Sequence, residues 1–513
     1  MIVNLLLFAS VLGLVLYLGG KRCYEFYVFR KKMKKIPSPT YKFPLFGMIL
    51  ELLTVEKKDR LDWFEAVNNR FKDGIICTWL GTTGTVHIRK PEYLETILRS
   101  TTEITKSDIY HYLMPWLGNG LLTSTGTQWQ HARKLLTPAF HFKILEEFSE
   151  IMIDKAKILT DCLEREMKIH GDKPFDIFEL CVKAALDIIC ETAMGVDVHA
   201  QEAVHSEYID AIHTISEAVT YRFFRPWLKP DIFFYQTAMG KKFKKAVETT
   251  HDLCTQVIQR KQQERKHGII KNDVSEGSKI FGERKRRAFL DLMLEANELE
   301  SNPMTIQEII DQTSTFMFAG HDTTGALVNW TLFCLGIELD VQKKVHDELD
   351  EVLGDADDRT TLEKLPNLKY LERVIKETLR MYPSATSVSR SLVNDLQIGE
   401  YTIPKDARVN LLIYNLHRNA EIWPDPLRFD PDRFLPENVK NRHPYAYIPF
   451  SAGLRNCIGQ KYAMLEAKLT LAQVLRKFSF KSVENHDTIK KYSEIILRPV
   501  EGTYVYMKKR ADG

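Results

Sequence analysis

The run FSAGLRNCIG near the C-terminus constrains this chain of 513 residues more than any other feature. It sets Phe450, Gly453, Arg455, Cys457 and Gly459 at the spacing F-x-x-G-x-R-x-C-x-G. The segment that follows is apolar at helical intervals, so we expect Cys457 to precede a helix N-terminus, where the helix dipole favours a thiolate. The alternative is a glycine-containing turn with an inert buried cysteine, the usual role of a lone cysteine. So many fixed positions in one short run argue against that alternative.

A cysteine thiolate in such a turn can be the axial ligand of haem iron, a ligation that favours cleavage of the O–O bond. Gly453 and Gly459 would let the backbone approach the porphyrin, and Arg455 would bind a haem propionate. The spacing resembles the cysteine loop of the cytochrome P450 family. That resemblance implies a haem b cofactor in contact with Phe450, Arg455, Cys457 and Gly459, with Cys457 as the axial iron ligand.

A second motif, KETLR, places Glu377 and Arg380 on one face of a predicted helix that ends before Pro383. Alone, the pair is better explained as a solvated ion pair on a helix surface. In the resembled family, this glutamate and arginine join a second arginine, here Arg433 of FDPDRF, in a buried cluster. The resemblance therefore implies that the three residues hold the loop of Cys457 in place.

The apolar stretch 305–339 is long enough for a helix that crosses a whole domain. At its centre, in AGHDTT, Gly320 and the hydroxyls of Thr323 and Thr324 predict a loosened or kinked helix. By itself, Asp322 would be interpreted as a surface or capping acid. The resemblance implies instead that this turn lies over the iron, and that Asp322 and Thr323 are the catalytic pair that relays protons to oxygen.

Three further residues match propionate-binding positions of the resembled family: Trp129 and Arg133, spaced W-x-x-x-R on a predicted helix, and Arg390 in SVSRSLV. Arginine suits this role because its planar fork holds a carboxylate with two hydrogen bonds. The stretch around Trp129, together with RRAFLDLML, HPYAYIPFSAG and ILRPVEG, resembles the fourth P450 family in particular. That branch is best known for fatty-acid ω-hydroxylases and is rich in insect members.

Two positions depart from the pattern of this branch. Leu454 stands where proline is usual, and Ala319 stands where many members carry a glutamate that forms an ester with a haem methyl. Because alanine has no carboxylate, the haem is expected to be bound without a covalent link. The space above the iron should also be wider, which weakens the expectation of strict ω-hydroxylation.

Residues 2–20 carry no charge and are mostly large and apolar, and about 20 such residues span a bilayer. Basic residues follow this run, which is unlike a cleaved signal peptide and places the following side in the cytosol. We therefore expect a transmembrane anchor at residues 1–20, a basic and proline-rich linker at 21–44 and a haem-thiolate catalytic domain at 45–513. This predicts a single-pass protein of the endoplasmic reticulum membrane whose catalytic domain faces the cytosol.

Elsewhere the long periodic segments predict helices and the short β-branched runs predict strands. The expected fold is therefore mainly α with small β-sheets, as in the cytochrome P450 fold, with a single-span N-terminal anchor. The eight cysteines include no C-x-x-C pair, which fits reduced thiols in a cytosolic domain. A net charge of only +3 gives no indication of a nucleic-acid partner.

The resemblance implies a monooxygenase that inserts one atom of O2 into a hydrophobic, lipid-like substrate such as a fatty acid, a terpenoid hormone or a xenobiotic. The chain carries no G-x-G-x-x-G fingerprint for a nucleotide cofactor, so the electrons are expected from a separate NADPH–cytochrome P450 reductase, with or without cytochrome b5. Two alternatives stay open: a haem enzyme that rearranges hydroperoxides without O2, and a haem-binding sensor or carrier without turnover. The intact pair of Asp322 and Thr323 argues against the first alternative.

Overall fold

The computed structural model describes residues 2–43, 46–140, 142–203, 205–266, 288–299, 303–354 and 358–510. Within these ranges the α-helices are α1 (Ile2–Met33), α2 (Ile49–Thr54), α3 (Arg60–Asn69), α4 (Pro91–Leu98), α5 (Met114–Leu117), α6 (Gly126–Leu136), α7 (Phe142–His170), α8 (Phe178–Ile189), α9 (Glu207–Phe223), α10 (Asp231–Phe234), α11 (Ala238–Lys266), α12 (Phe289–Leu299), α13 (Ile306–Ile337), α14 (Leu339–Val352), α15 (Asp358–Lys364), α16 (Lys369–Met381), α17 (Ile413–Leu416), α18 (Pro436–Lys440) and α19 (Gln460–Lys477).

The strands are short and form several small sheets. They are β1 (Ile75–Leu80), β2 (Thr83–Ile88), β3 (Phe175–Asp176), β4 (Ser387–Ser391), β5 (Leu396–Ile398), β6 (Tyr401–Ile403), β7 (Arg408–Leu412), β8 (Phe478–Ser482), β9 (Lys491–Ser493), β10 (Leu497–Pro499) and β11 (Tyr504–Lys509). The largest sheet has the order β1-β2-β7-β4, in which β2 and β7 are parallel and the other neighbours are antiparallel. A second sheet has the order β3-β11-β8, and β5–β6 and β9–β10 form separate pairs. The predicted mainly helical fold with small sheets is confirmed.

Helix α13 passes through the centre of the larger hydrophobic core. Its N-terminus carries a capping box in which Thr305 and Glu308 satisfy each other's backbone N–H groups. With 32 residues it is about 48 Å long, and helices α8, α11, α16 and α19 pack around it. Most of its residues are buried on every side, which explains why the sequence shows a continuous apolar run here instead of an amphipathic stripe.

The loosening predicted at the centre of α13 does not interrupt the helix, which continues without a break from Ile306 to Ile337. The hydroxyl of Thr323 does donate to the carbonyl of Ala319 at 2.6 Å, as expected for a threonine inside a helix. Gly320 has a different role from the predicted one. A Cβ at this position would lie 2.5 Å from Cγ1 of Ile189, so the glycine allows α8 to pack directly against α13.

The N-terminal helix α1 continues past the predicted anchor boundary at residue 20 and ends only at Met33. Met33 and Ile36 are buried in the core cluster of the four-stranded sheet. The extended segment after α1 joins this sheet as well, because the carbonyl of Pro37 accepts a 2.7 Å hydrogen bond from the N–H of Cys77. Pro44, the last predicted linker residue, lies outside the described residues. Taken one at a time, the helices in the described ranges include none that meets the length and hydropathy expected of a membrane span.

Candidate functional site

A cavity of about 320 Å³ lies between α13 and the loop that carries Cys457. Most of its wall is apolar or aromatic, contributed by Tyr110, Leu113, Leu121, Leu122, Phe140, Phe148, Ile189, Phe289, Phe316, Phe318, Val388, Ile413, Ile495 and Ile496. Segments around Tyr110, Phe316 and Val388 thus come from distant parts of the chain to border one cavity. Ile495 and Ile496, just before β10, also contribute to its wall.

Cys457 lies in the short loop before α19, as the sequence predicted. Its N–H donates to the carbonyl of Phe450 at 2.9 Å, which closes the loop, and both residues border the cavity. The Cys457 side chain is accessible from the cavity, while the surrounding protein shields it from bulk solvent. This burial raises the pKa of the thiol, and the N–H of Gly459 and the charge of Arg133 oppose the rise. The helix terminus alone therefore does not make a thiolate here, and binding of a metal ion would have to displace the proton.

The two glycines of the loop have separate roles. Gly453 adopts a φ of +70°, and a Cβ there would lie 1.8 Å from the carbonyl oxygen of Leu98, so the turn itself requires glycine. The prediction that Gly453 permits approach of a porphyrin is therefore wrong. Gly459 borders the cavity, and a Cβ there would meet no atom closer than the Cys457 sulfur at 3.9 Å. The space beside the thiol is thus open on the Gly459 side, which fits a flat group lying over Cys457.

Arg133 and Arg455 reach the cavity wall from two elements. Arg133 on α6 donates to the backbone oxygen of Asn456 at 3.0 Å and to its side-chain oxygen at 2.7 Å. Arg455 donates to the carbonyls of Ile104 and Ser124, and its guanidinium lies 4.0 Å from the ring centroid of Trp129. The remaining Nη1 of Arg455 is buried without a partner. Burial and the nearby charge of Arg390 lower the pKa of Arg455 to about 9. A negatively charged ligand would therefore stabilise the charged form of Arg455.

Arg390 on β4 is only 2% exposed and lies behind the cavity wall, where its Nη1 donates to the carbonyl of Ser389 at 3.0 Å. Lys106, which the sequence analysis missed, pairs with Arg390 through the backbone and borders the cavity with its ammonium 4.3 Å from the ring of Tyr110. Burial and the charges of Arg390 and Arg455 hold the pKa of Lys106 well below its usual range. A single lysine outside any repeated pattern gives no signal in a sequence.

Within the described residues, none of the four cations Lys106, Arg133, Arg390 and Arg455 forms an ion pair with a carboxylate of the chain. A buried group of positive charges without counter-ions is costly unless a ligand supplies them. A cofactor with two carboxylates, such as the propionates of haem, matches this set of donors in number and in chemistry. The residues present therefore fit the cofactor that the sequence predicted.

Thr323 borders the cavity, but Asp322 does not. The carboxylate of Asp322 is fully buried on another side of α13, and both of its oxygens accept hydrogen bonds from Nη2 of Arg498, at 2.7 and 2.6 Å. Arg498 lies on β10 and is 1% exposed. The predicted acid and alcohol are thus neighbours in sequence that face different surroundings. Arg498 could not be predicted from the sequence, because it is 176 residues away from its partner.

The ion pair of Asp322 and Arg498 continues to α9. Nη1 of Arg498 lies 3.1 Å from Nε2 of His213, a side chain that is only partly buried. Burial, and after it the charge of Arg498, lowers the pKa of His213 to about 4. His213 is therefore neutral near pH 7 and accepts a hydrogen bond from the guanidinium, which leaves Arg498 as the counter-ion of Asp322.

The predicted cluster of Glu377, Arg380 and Arg433 is confirmed. Arg380 donates to both carboxylate oxygens of Glu377, at 2.7 and 2.8 Å, and Arg433 lies 3.4 Å from the same carboxylate. Arg380 also donates to the carbonyl of His417 at 2.9 Å. The ring of His417 in turn accepts the N–H of Ile448, which lies just before the loop of Cys457, at 2.9 Å. The cluster is thus connected to the cysteine loop through His417.

Comparison with known proteins gives a consistent result. The family model of cytochrome P450 matches residues 37–506. The chain is 41% identical to cytochrome P450 4V2 of Mus musculus over 484 residues, which cover 94% of this chain and 91% of that protein. It is 40% identical to cytochrome P450 4c21 of Blattella germanica over 482 residues, with 94% and 95% covered. The crystal structure of the cytochrome P450DA haem domain has the same fold, with a TM-score of 0.77 at 24% identity over 93% of this chain and 98% of that one.

Proposed function

Because this chain belongs to the cytochrome P450 family, and its relatives include mammalian and insect members of the fourth family, we propose that it inserts one atom of O2 into a hydrophobic, lipid-like substrate with electrons from an NADPH–cytochrome P450 reductase. The family membership and the enzyme class, a haem monooxygenase, agree with the sequence prediction and leave no need for the isomerase or carrier alternatives. The observation that supports oxygen insertion into an apolar substrate is that the thiol of Cys457 borders the same apolar cavity as Thr323.

Haem, when bound, supplies the activation of O2 and the transfer of oxygen to a C–H bond. The protein's own contribution is to hold this group in a dry cavity. Cys457 would bind the haem iron, and Gly459 leaves space for the ring beside it. The propionates would be bound by Lys106, Trp129, Arg133 and Arg455, and Arg390 would add its positive charge from behind the wall. Phe450 would pack against the ring from the cysteine loop.

The substrate class follows from the wall above Thr323. Aromatic and branched apolar side chains dominate it, and the polar groups that border it are few, which favours a lipid-like molecule such as a fatty acid, a terpenoid hormone or a xenobiotic. A fatty acid is the first choice, since the branch of the family is best known for fatty-acid hydroxylases.

The test of this proposal is turnover in a reconstituted system. Purified protein, NADPH–cytochrome P450 reductase and NADPH are incubated with a panel of fatty acids, terpenoids and xenobiotics, and products are identified by mass spectrometry. We expect hydroxylated products of at least one lipid that require O2, NADPH and reductase together. Product formed without reductase would contradict the electron source, and no product with any member of the panel would contradict the substrate class. A parallel series with and without cytochrome b5 shows whether this protein is a second electron donor.

For Thr323→Ala we expect uncoupling of NADPH oxidation from product formation. Thr323 and Thr324, at the centre of α13, both border the cavity. We propose that the hydroxyl of Thr323, which donates to the carbonyl of Ala319, passes protons into the cavity, with Asp322 as the neighbouring acid. Product formed per NADPH consumed should fall by about tenfold, with a matching rise in hydrogen peroxide. Thr323→Ser, which keeps a hydroxyl, should recover most of the coupling. Thr315→Val is the matched control, because it removes another hydroxyl of the cavity wall on the same helix. Unchanged coupling in Thr323→Ala would contradict the relay.

We propose that the haem is bound without a covalent link. Ala319 borders the cavity, and no aspartate or glutamate is among the described residues of its wall, so no carboxylate is in position to form an ester with the haem. After turnover, denaturing acid chromatography should separate haem from the polypeptide, whereas Ala319→Glu should retain a fraction of the haem on the protein. Haem that co-elutes with the unmodified protein would contradict the proposal, since a carboxylate from elsewhere would then have formed the bond.

We propose that residues 1–20 anchor the protein in the endoplasmic reticulum membrane as a single span, with the catalytic domain in the cytosol. The uncharged apolar run and the basic residues after it support this orientation. Trp227, Ile232 and Phe233, between α9 and the end of α10, are exposed apolar side chains and would suit contact with the lipid headgroup region. Lys461, exposed at the start of α19 next to the cysteine loop, would suit an acidic docking face of the reductase.

A further inference from the structure

The loop between α5 and α6, residues 118–125, lies directly against α13. A Cβ on Gly118 would be 2.1 Å from the carboxylate of Asp311, and a Cβ on Gly120 would be 2.0 Å from the hydroxyl of Thr315. Gly118 also has a φ of +48°, which other residues rarely adopt. The two glycines therefore let the backbone of this loop touch the helix where any side chain would collide.

Two side chains of α13 meet the backbone of this loop. The N–H of Asn119 donates to Oδ2 of Asp311 at 2.7 Å, and the N–H of Leu121 donates to Oε1 of Gln312 at 2.9 Å. The other carboxylate oxygen of Asp311 accepts from Nε2 of Gln307 at 2.9 Å. Asp311 is 5% exposed and Gln312 is 2% exposed. The buried N–H of Leu121 would cost free energy without its acceptor, and the N–H of Asn119 is partly buried. These side chains therefore fix the loop's position on the helix.

The same loop supplies part of the cavity wall. Leu121 and Leu122 border the cavity, and the N–H group that donates to Gln312 is that of Leu121 itself. On the preceding side, Trp116 packs edge to face on Phe318, another residue of the wall, with ring centroids 4.6 Å apart. The position of Leu121 and Leu122 in the cavity wall is thus set by contacts with α13, the helix that also carries Thr323.

The C-terminal end of residues 118–125 is hydrogen-bonded to the cysteine loop, because the carbonyl of Ser124 accepts a 2.7 Å hydrogen bond from Arg455. The loop therefore connects the helix on one side of the cavity with the propionate-binding arginine on the other. Since the wall is apolar, few polar groups are available to orient a lipid substrate, and its orientation must come from the shape of the wall.

We propose that Asp311 and Gln312 are positioning residues that set the regioselectivity of the oxidation by holding Leu121 and Leu122 against the substrate. This inference rests on the proposed monooxygenase function. Neither side chain borders the cavity, so their effect is transmitted through the two backbone hydrogen bonds to Asn119 and Leu121. A small shift of the loop changes which carbon of a flexible chain comes nearest to the oxidising centre.

The experiment compares the wild type with Gln312→Met, which keeps the length of the side chain and loses the acceptor, and with Gln312→Glu, which restores an acceptor. Thr313→Val is the matched control, because it removes a fully buried hydroxyl of the same helix that has no partner. Each protein is first required to give the native reduced carbon monoxide spectrum. The measurements are the distribution of hydroxylated positions on dodecanoic and hexadecanoic acids, the Kd from the substrate-induced Soret shift, and amide hydrogen exchange of residues 118–125.

In Gln312→Met we expect about tenfold faster exchange at Leu121, the effect of losing one backbone hydrogen bond, and products spread over more carbons than in the wild type. Gln312→Glu and Thr313→Val should keep the wild-type distribution. If Gln312→Met lacks the native spectrum, Asp311→Ala is measured instead, since it removes the acceptor of Asn119. Faster exchange at Leu121 with an unchanged product distribution would overturn the proposal.

A failure of the proposed function gives different results from a failure of the positioning proposal. A wild-type protein that forms no product from any fatty acid contradicts the substrate proposal and not the loop, because the exchange rates and the Kd do not depend on turnover. In that case, a Kd raised at least about threefold in Gln312→Met and restored in Gln312→Glu would support the positioning role. An equal Kd in all four proteins would overturn it.

Discussion

Replacing Cys457 by alanine or histidine is expected to abolish the thiolate-type Soret shift of the reduced carbon monoxide complex. The other described cysteines do not border the cavity, so no other thiol is in position to take the place of Cys457 as the axial ligand. Alanine leaves the haem without a protein ligand, and histidine offers a neutral nitrogen in place of a thiolate. Monooxygenase activity should be lost in both variants, and haem content should fall more in Cys457→Ala than in Cys457→His.

Cys334→Ala is the matched control for this prediction. Cys334 lies on α13, is fully buried, and its pKa is held well above the usual range by burial, so it is an inert packing residue. Its removal should leave the position of the Soret band unchanged. A normal thiolate-type band in either variant of Cys457 would show that the ligand assignment is wrong, whatever the activity.

The parts of this site that sequence could predict are those encoded within short runs. The F-x-x-G-x-R-x-C-x-G spacing predicted both the loop of Cys457 and the helix after it, and α19 does begin at Gln460. The pair of Glu377 and Arg380 was predictable because residues three apart share a helix face. Arg433 followed only from the family resemblance, since the sequence alone gives no reason for it to join that pair.

The parts that sequence could not predict depend on contacts between distant segments. Arg498 pairs with Asp322 across 176 positions, and nothing in the run ILRPVEG distinguishes it from a surface arginine. Gly320 was expected to loosen α13, but its role depends on Ile189 of α8, which no local pattern reveals. The position of Lys106 at the site becomes evident only in the fold, which brings Arg390 and Arg455 next to it.

The same limit applies to the pair of Asp322 and Thr323. The motif places them next to each other in sequence, but successive residues of a helix point about 100° apart. Of this pair, Thr323 borders the cavity and Asp322 does not. Asp322 can assist Thr323 only if its ion pair with Arg498 opens. The relay therefore stays a prediction for Asp322, and the strength of the ion pair becomes the quantity to measure.

Arg498→Ala is expected to destabilise the protein by about 3–5 kcal/mol, the cost of leaving a buried charge without its partner. Both side chains are almost completely inaccessible, and the described residues offer Asp322 no second cation. In the wild type, burial and the charge of Arg498 lower the pKa of His213 to about 4, so His213 would have to bind a proton before it could act as a counter-ion of Asp322. The measurement is the free energy of unfolding of the haem-loaded protein in urea, followed by circular dichroism.

Two further variants separate the loss of the ion pair from the loss of packing. In the double variant Asp322→Leu with Arg498→Met, both charges are replaced by apolar groups of similar size, and stability should return to within about 1 kcal/mol of the wild type or exceed it. Arg498→Lys keeps the charge but loses the planar fork, so an intermediate loss is expected. If Arg498→Ala cost less than about 1 kcal/mol, water or another group would have to reach Asp322, and the carboxylate would then be accessible for proton transfer without opening of the pair. A large loss in the single variant and its recovery in the double variant would instead show that Asp322 is held as an ion, and that any role in the relay requires the pair to open.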